Sequence, residues 1–281
     1  MKKVMTIILC GMIFLFSLGL TLYPVISSRY NERHQSLIRT AYSEVVEQAD
    51  DETLAEAKQQ AMAYNAAIMP GAGDAYSLTA LTAAAENYDN LLNLAGNGIM
   101  GYVEIPSVDI YLPIYHGTGS DSLERGVGHL LGSSLPVGGE GTHTILTGHS
   151  GMASQRMFTD ITQMKEEDVF FLHVLDEILA YQVCGLNTVE PHDTSCLEIE
   201  PEEDLCTLVT CTPVGVNTHR LLVRGTRIPY EEAQEIQEAV AQQEQPASTW
   251  EQQYMTGLLL GLAAVVVIAI LVLVIRKVRH G

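Results

Sequence analysis

The sequence predicts a mostly β domain with short helices, carried on an N-terminal helical arm and flanked by an apolar helix at each end of the chain. Three observations predict it. From Ile99 onward, short runs rich in Val, Ile, Leu and Thr alternate with turns built on Gly, Pro and Asp. The two chain ends are almost wholly apolar, although hydrophobic residues make up an ordinary 47% of the whole. The stretches joining those ends to the β region are polar and rich in Glu, Gln and Ala. Many short strands at such spacing favour a sandwich or barrel. A chain of 281 residues has room for one sizeable domain with appendages. A net charge of −19 makes the chain a poor candidate for nucleic-acid binding, which needs clustered Lys and Arg on one face.

The elements follow in order. Residues 1–28 form an N-terminal membrane anchor: Lys2 and Lys3 precede an apolar run from Val4 to Val25, long enough to cross a bilayer core that needs roughly 20 apolar residues. A cleaved signal peptide has the same basic start. This run is longer than its apolar region, however, and Leu22-Tyr23-Pro24-Val25 is no small-x-small cleavage site. Residues 29–98 form an extracytoplasmic helical arm. It is helical to about Tyr64, broken over 70–81 by Pro70-Gly71-Ala72-Gly73, and helical again from Thr82 to Leu94. Strands are expected at 101–105, 110–115, 144–148, 169–174, 178–189, 205–211 and 219–228 within a domain spanning 99–230, with one short helix at 154–161. A linker helix at 231–254 leads to a second span at 255–275, uncharged from Gly257 to Ile275. Arg276, Lys277 and Arg279 lie in the basic tail, 276–281. The positive-inside rule places both chain ends in the cytoplasm and the central domain outside the cell membrane.

Of five cysteines, Cys10 falls in the first apolar run, leaving Cys184, Cys196, Cys206 and Cys211 outside. Their even number invites disulfides in an oxidising space, but the domain does not need staples and the spacing fits no compact scaffold. No C-x-x-C pair and no calcium-loop spacing exist, so no metal or other cofactor is expected. The acidic run 198–204 reads as a solvated loop.

Cys211 closes the apolar strand Leu208-Val209-Thr210 and is followed by the turn Thr212-Pro213-Val214-Gly215, which presents its sulfur at an edge. His149 closes Thr144-Ile145-Leu146-Thr147-Gly148, and Arg220 opens Leu221-Leu222-Val223 after the excursion beyond Cys211. A thiol nucleophile is activated by an imidazole or a nearby cation. A histidine can protonate a leaving amine, and a guanidinium can stabilise an oxyanion. On composition alone, His116, His129, His143 and His219 are rival bases, and a cysteine at a strand end is more often a small buried hydrophobe.

The stretch Leu208-Val209-Thr210-Cys211-Thr212-Pro213 through Gly215-Val216-Asn217-Thr218-His219-Arg220-Leu221-Leu222-Val223-Arg224-Gly225 resembles the signature of class C, pilin-polymerising sortases. So do Gly101-Tyr102-Val103-Glu104-Ile105-Pro106, Leu112-Pro113-Ile114-Tyr115-His116-Gly117, Gly126-Val127-Gly128-His129-Leu130 and Thr147-Gly148-His149-Ser150-Gly151. The resemblance covers roughly Tyr88 to Ile228. It implies a sortase-type closed β-barrel of about eight strands, with catalytic Cys211 (nucleophile), His149 (acid/base) and Arg220 (oxyanion or substrate stabiliser). It also implies partners: secreted pilins or surface proteins bearing an LPXTG-like signal, and the lysine amine of a pilin subunit as acceptor. Anchoring of surface proteins to peptidoglycan would use the same residues. A silent β-barrel scaffold would not need them. Two departures stand out. Val214 occupies a position where the family usually has Tyr, and the family's Asp-Pro-aromatic lid motif is matched by Asp74-Ala75-Tyr76, which lacks the proline. Asp74 and Tyr76 are therefore the candidate lid residues.

Overall fold

The structure is a computed structural model that describes residues 2–68, 87–152, 155–241, 254, 256–261 and 263. The chain begins with helix α1 (Lys2–Gln48), which makes one continuous rod of the expected anchor and the start of the arm. Asp50 then accepts a 2.7 Å hydrogen bond from the Thr53 N–H, capping helix α2 (Asp51–Ile68). Among the described residues no helix is long and apolar enough to cross a membrane. The expectation of two spans thus finds no support there, and most of 255–275 lies outside the described residues. The candidate lid, 70–81 with Asp74 and Tyr76, also lies outside them.

Eight strands follow: β1 (Ile99–Ile105), β2 (Ile110–His116), β3 (Val127–His129), β4 (Thr142–Thr147), β5 (Val169–Val174), β6 (Glu177–Val189), β7 (Asp204–Thr212) and β8 (His219–Ile228). They close into a barrel in the order β1-β2-β3-β4-β7-β8-β6-β5. The pairs β2/β3 and β4/β7 are parallel, and the remaining pairs are antiparallel. A parallel pair cannot be joined by a hairpin, and the β2–β3 crossover carries the short helix α3 (Ser120–Arg125). The closed eight-stranded barrel agrees with the expectation. Strand β3 and helix α3 were not expected.

Side chains of alternate residues fill the barrel, as the period of two requires. Met100, Ile114, Val127, Leu146, Phe170, Tyr181, Cys206, Leu208 and Val223 are all within 2% of full burial. Phe170 and Tyr181 stack at 5.5 Å. The arm is fastened by polar clasps as well as apolar contact. The Tyr42 hydroxyl donates to the Met100 carbonyl and accepts from the Leu175 N–H, both at 2.9 Å. The Asn65 amide pairs with both backbone groups of Leu135, at 2.7 and 3.1 Å.

Two helical expectations change. The helix expected from Thr82 to Leu94 lies outside the described residues over 82–86, is α-helical at Asn87, and gives way to a 3-10 turn at Tyr88–Asn90. Its asparagines compete for backbone groups: Asn93 donates to the Asp89 carbonyl and accepts from the Gly98 N–H, and Asn97 accepts from the Ile99 N–H. The short helix expected at 154–161 appears instead as a 3-10 turn at Thr159–Gln163. The expected linker helix is α4 (Tyr230–Ala241). It lies on the barrel, with Ala233 fully buried against Val169, Phe171 and Ala180, and with Tyr230 and Ile236 packed around them.

Candidate active site

Strand β7 has two different faces. Cys206 and Leu208 point into the core, whereas Val209 belongs to a separate cluster with Ile145 of β4 and Leu222 of β8. Period-two alternation puts Cys211 on the same outer face as Val209. The register then brings the three predicted residues together. Cys211 pairs directly with Arg220 across the antiparallel β7/β8 ladder. On the other side, Thr147 lies opposite Val209 in the parallel β4/β7 ladder. Beyond Thr147 the β4 strand ends, and His149 follows in the loop that continues alongside the cysteine strand.

Three hydrogen bonds maintain that alignment beyond the end of β4. The Gly148 N–H donates to the Val209 carbonyl at 3.0 Å, the Thr210 hydroxyl donates to the Gly148 carbonyl at 2.8 Å, and the Ser150 hydroxyl donates to the Cys211 carbonyl at 2.6 Å. His149 therefore sits between two residues tied to the cysteine strand. Its own carbonyl accepts from the Phe158 N–H at 2.9 Å. The flanking glycines are needed for fit. A Cβ on Gly148 would stand 2.6 Å from the buried Phe158 ring. Gly151 adopts φ +72° and approaches Val214 so closely that a Cβ would stand 2.8 Å from its methyl.

After Cys211 the chain reverses through a turn in which the Val216 and Asn217 N–H groups donate to the Pro213 carbonyl, with Gly215 and Asn217 at positive φ. This returns Arg220 to the side of Cys211. One guanidinium nitrogen donates to the Asn217 and His219 carbonyls of the turn, at 3.3 and 3.0 Å. Cys211, His149 and Arg220 are all partly exposed.

The rival groups are otherwise engaged. His129 is fully buried, facing the Tyr88 hydroxyl and the Ser134 carbonyl at 2.8 Å each, and burial lowers its pKa to about 4. His116 lies between the Gly98 and Leu91 carbonyls. His143 bridges Thr207 and the Glu198 carbonyl, its pKa lowered chiefly by burial. His219 pairs with Thr212, one step out of phase with the Cys211–Arg220 pair. Cys184, Cys196, Cys206 and Cys211 are all free. Burial pushes the Cys206 thiol well above the ordinary range and raises that of exposed Cys184 as well, which disfavours the thiolate at both. Among the described residues no group of His, Cys, Asp and Glu could hold a metal ion.

The loop between β6 and β7 walls the outer face beside this row. Cys196 and Leu197 pack on Val209 and Leu222. The Arg224–Glu200 ion pair and the bond from His143 to the Glu198 carbonyl tie the loop down. Its acidic run is exposed as expected, up to Asp204. That carboxyl is largely buried and accepts from the Gly139 N–H and the Tyr181 hydroxyl. Sequence reasoning missed Ser150, Thr210 and Phe158 as supports of the histidine loop. The only signal for them was their position next to, or after, the reactive residues.

Comparison with known proteins fits this arrangement. The family described as "Sortase domain" matches residues 103–228. Sortase D of Bacillus subtilis (strain 168) is 30% identical over 131 residues, 46% of this chain and 63% of that protein. The chain thus spans somewhat less than two thirds of that curated relative. The crystal structure of sortase C from Streptococcus pneumoniae is 42% identical, covers 69% of this chain and 97% of its own, and superposes with a TM-score of 0.60. The chain belongs to the sortase family. Sortases are cysteine transpeptidases, and the structural neighbours of this one are class C members. Another is sortase C of Clostridium perfringens, 39% identical with a TM-score of 0.59, covering 69% of this chain and 99% of its own, and solved with the C-terminal cell wall sorting motif. The Streptococcus pneumoniae structure is described as informing catalysis and pilin substrate specificity.

Proposed function

We propose that this sortase is a membrane-anchored cysteine transpeptidase that cleaves an LPXTG-like sorting signal and joins it to a lysine amine of a pilin subunit. The observation that carries the reading is the Cys211–Arg220 pair across β7 and β8, with the loop that holds His149 tied to the cysteine strand through Gly148 and Ser150. The Cys211 thiolate attacks the threonine carbonyl of the Thr–Gly bond. The carbonyl oxygen takes the negative charge, and the Arg220 guanidinium stabilises it. As the tetrahedral intermediate collapses, the C–N bond breaks and His149 protonates the departing glycine amine, leaving a thioester on Cys211. A lysine amine then attacks that thioester, His149 takes its proton, and the thiolate departs as the isopeptide bond forms.

The class C resemblance favours a pilin acceptor over a peptidoglycan amine, and supports Asp74 and Tyr76 as a lid over the site. The two apolar blocks, Val4–Val25 and Gly257–Ile275, support anchoring with the barrel outside the cell membrane. The Tyr254 hydroxyl donates to the Thr21 carbonyl at 2.7 Å, which puts the residue just before the second apolar block against the end of the first. The test is incubation of the protein with an LPXTG-type peptide and a pilin lysine donor, followed by mass spectrometry. The expected result is an acyl adduct on Cys211 and an isopeptide product, both absent in Cys211→Ala. Turnover by Cys211→Ala would refute the reading.

A further inference from the structure

The face that α1 turns to the barrel changes character along its length. At Ile38, Tyr42 and Val46 it is apolar and packs on the core. One to three turns earlier, at the same helical spacing, it carries Ser28, Asn31 and Gln35. Ser28 is only 4% exposed, so this polar stripe is turned inward. A helix docked on a domain ordinarily presents an apolar stripe. Between this stripe and the barrel lies a cavity of about 250 Å³. Space of that size with polar walls holds water or a polar ligand.

The charges around the cavity are not equivalent. Arg156 is committed: it pairs with buried Asp160 at 3.0 Å, donates to the Val108 carbonyl, and has Asp109 at 3.6 Å. Arg39 differs. Its guanidinium lies over the Tyr111 ring at 4.4 Å, and among the described residues no carboxylate forms an ion pair with it. Stacking fixes the guanidinium plane and leaves its N–H edges free to fork onto two oxygens. In a chain of net charge −19, an arginine held this way beside a donor-lined cavity has the makings of an oxyanion site. Asn31, Gln35, Ser36 and Gln155 border the same space with neutral polar side chains, alongside the Asp109 carboxylate that faces Arg156; Gln35 donates to Gln155, whose amide donates to the Glu124 carbonyl, and each amide keeps a second N–H.

We propose that the cavity between α1 and the start of β2 binds a phosphate group, held by Arg39 and the neutral donors of α1, and supplied as free phosphate or by a lipid headgroup. The lipid source follows from position. Ser28, at the near end of the cavity, comes three residues after the apolar run ends at Val25, about 4.5 Å along a helix, and Arg39 at its far end comes about 21 Å along, its long side chain leaning back toward the N-terminus. That source rests on the membrane-anchored reading, whereas the free-phosphate source does not.

The test uses the full chain and amide hydrogen exchange over 28–39, with β7 as an internal reference. One arm titrates inorganic phosphate onto protein in phosphate-free maltoside micelles. The other compares those micelles with phosphatidylglycerol nanodiscs. Wild type is expected to exchange at least about threefold more slowly over 28–39 in one arm or both. Arg39→Gln should lose the effect, and Arg39→Lys should keep part of it. Slowing by phosphate alone assigns the free anion, and slowing in nanodiscs alone assigns the lipid. Unchanged exchange in both arms, or equal slowing in wild type and Arg39→Gln, overturns the proposal.

Discussion

His129 should make this protein acid-sensitive. The ring is enclosed between Tyr88 on the segment entering β1 and Ser134 on the loop entering β4. With its Nε2–H donated to the Ser134 carbonyl and its Nδ1 accepting from the Tyr88 hydroxyl, the neutral ring satisfies both partners. A second proton would place a charge on a fully buried ring. Burial accordingly lowers the pKa from 6.5 to about 4. The unfolded chain therefore binds more protons than the folded one between those values. The contribution is complete above pH 6.5 and is lost as pH falls toward 4. At 1.36 kcal/mol per unit, a shift of about 2.5 units is worth about 3 kcal/mol in total, of which about 2 kcal/mol disappears between pH 7 and 5. Urea unfolding of wild type and His129→Gln at those two pH values, followed by circular dichroism, measures this. Gln can hydrogen-bond at the site but cannot titrate. Its variant will be less stable overall, yet its pH slope should be shallower than that of wild type by about 2 kcal/mol. Parallel slopes would refute the reasoning.

Other predictions concern the row on the outer face. Arg220→Lys should lower transpeptidation by on the order of 10²- to 10³-fold with the melting temperature preserved, because an ammonium is a point charge and cannot present two parallel donors; equal turnover would contradict the role. Gly148→Ala forces a methyl to 2.6 Å from the Phe158 ring and should cost about 1–3 kcal/mol of stability and a larger share of kcat than of KM. Phe158→Leu in the same chain should recover part of both, and no recovery would place the damage elsewhere. For the lid, Ala75→Pro should slow alkylation of Cys211 by restricting the backbone, and Asp74→Ala with Tyr76→Ala should speed it; rates that do not respond would make the segment an ordinary loop.

Short apolar runs bounded by turn residues were legible in the sequence as strands, and β5 and β8 begin and end where those runs said. Strand β3 was not, because Val127-Gly128-His129 is too short to show any period. The 88–94 stretch was misread for a different reason. Its leucines have helical spacing, but asparagine side chains compete for the backbone, and Leu92 sits at φ +58°. At the site, the Cys211–Arg220 pairing could be anticipated, since both lie on one strand–turn–strand segment. The placement of His149 could not be anticipated from local pattern. It depends on a parallel β4/β7 pairing across some sixty residues of chain that include two other strands, so the family resemblance had to stand in for topology.

A barrel packed to its axis with Phe170, Tyr181 and Leu146 leaves no room inside for a substrate, so chemistry must occur on the outside, where a strand side chain is normally free to move. The restraint comes from both sides of β7. Toward β4, backbone and hydroxyl bonds at Gly148, Thr210 and Ser150 fix the histidine loop against the cysteine strand. Toward β8, ladder register holds Arg220 opposite Cys211. The inward residues Cys206 and Leu208 lock β7 itself into the core. Cys211 thus occupies the first outward position beyond the last outward residue that is fully packed, Val209. One step earlier along that face its sulfur would be buried with Ile145 and Leu222. One step later it would lie in the exposed Pro213–Thr218 turn, without neighbours in register on both sides.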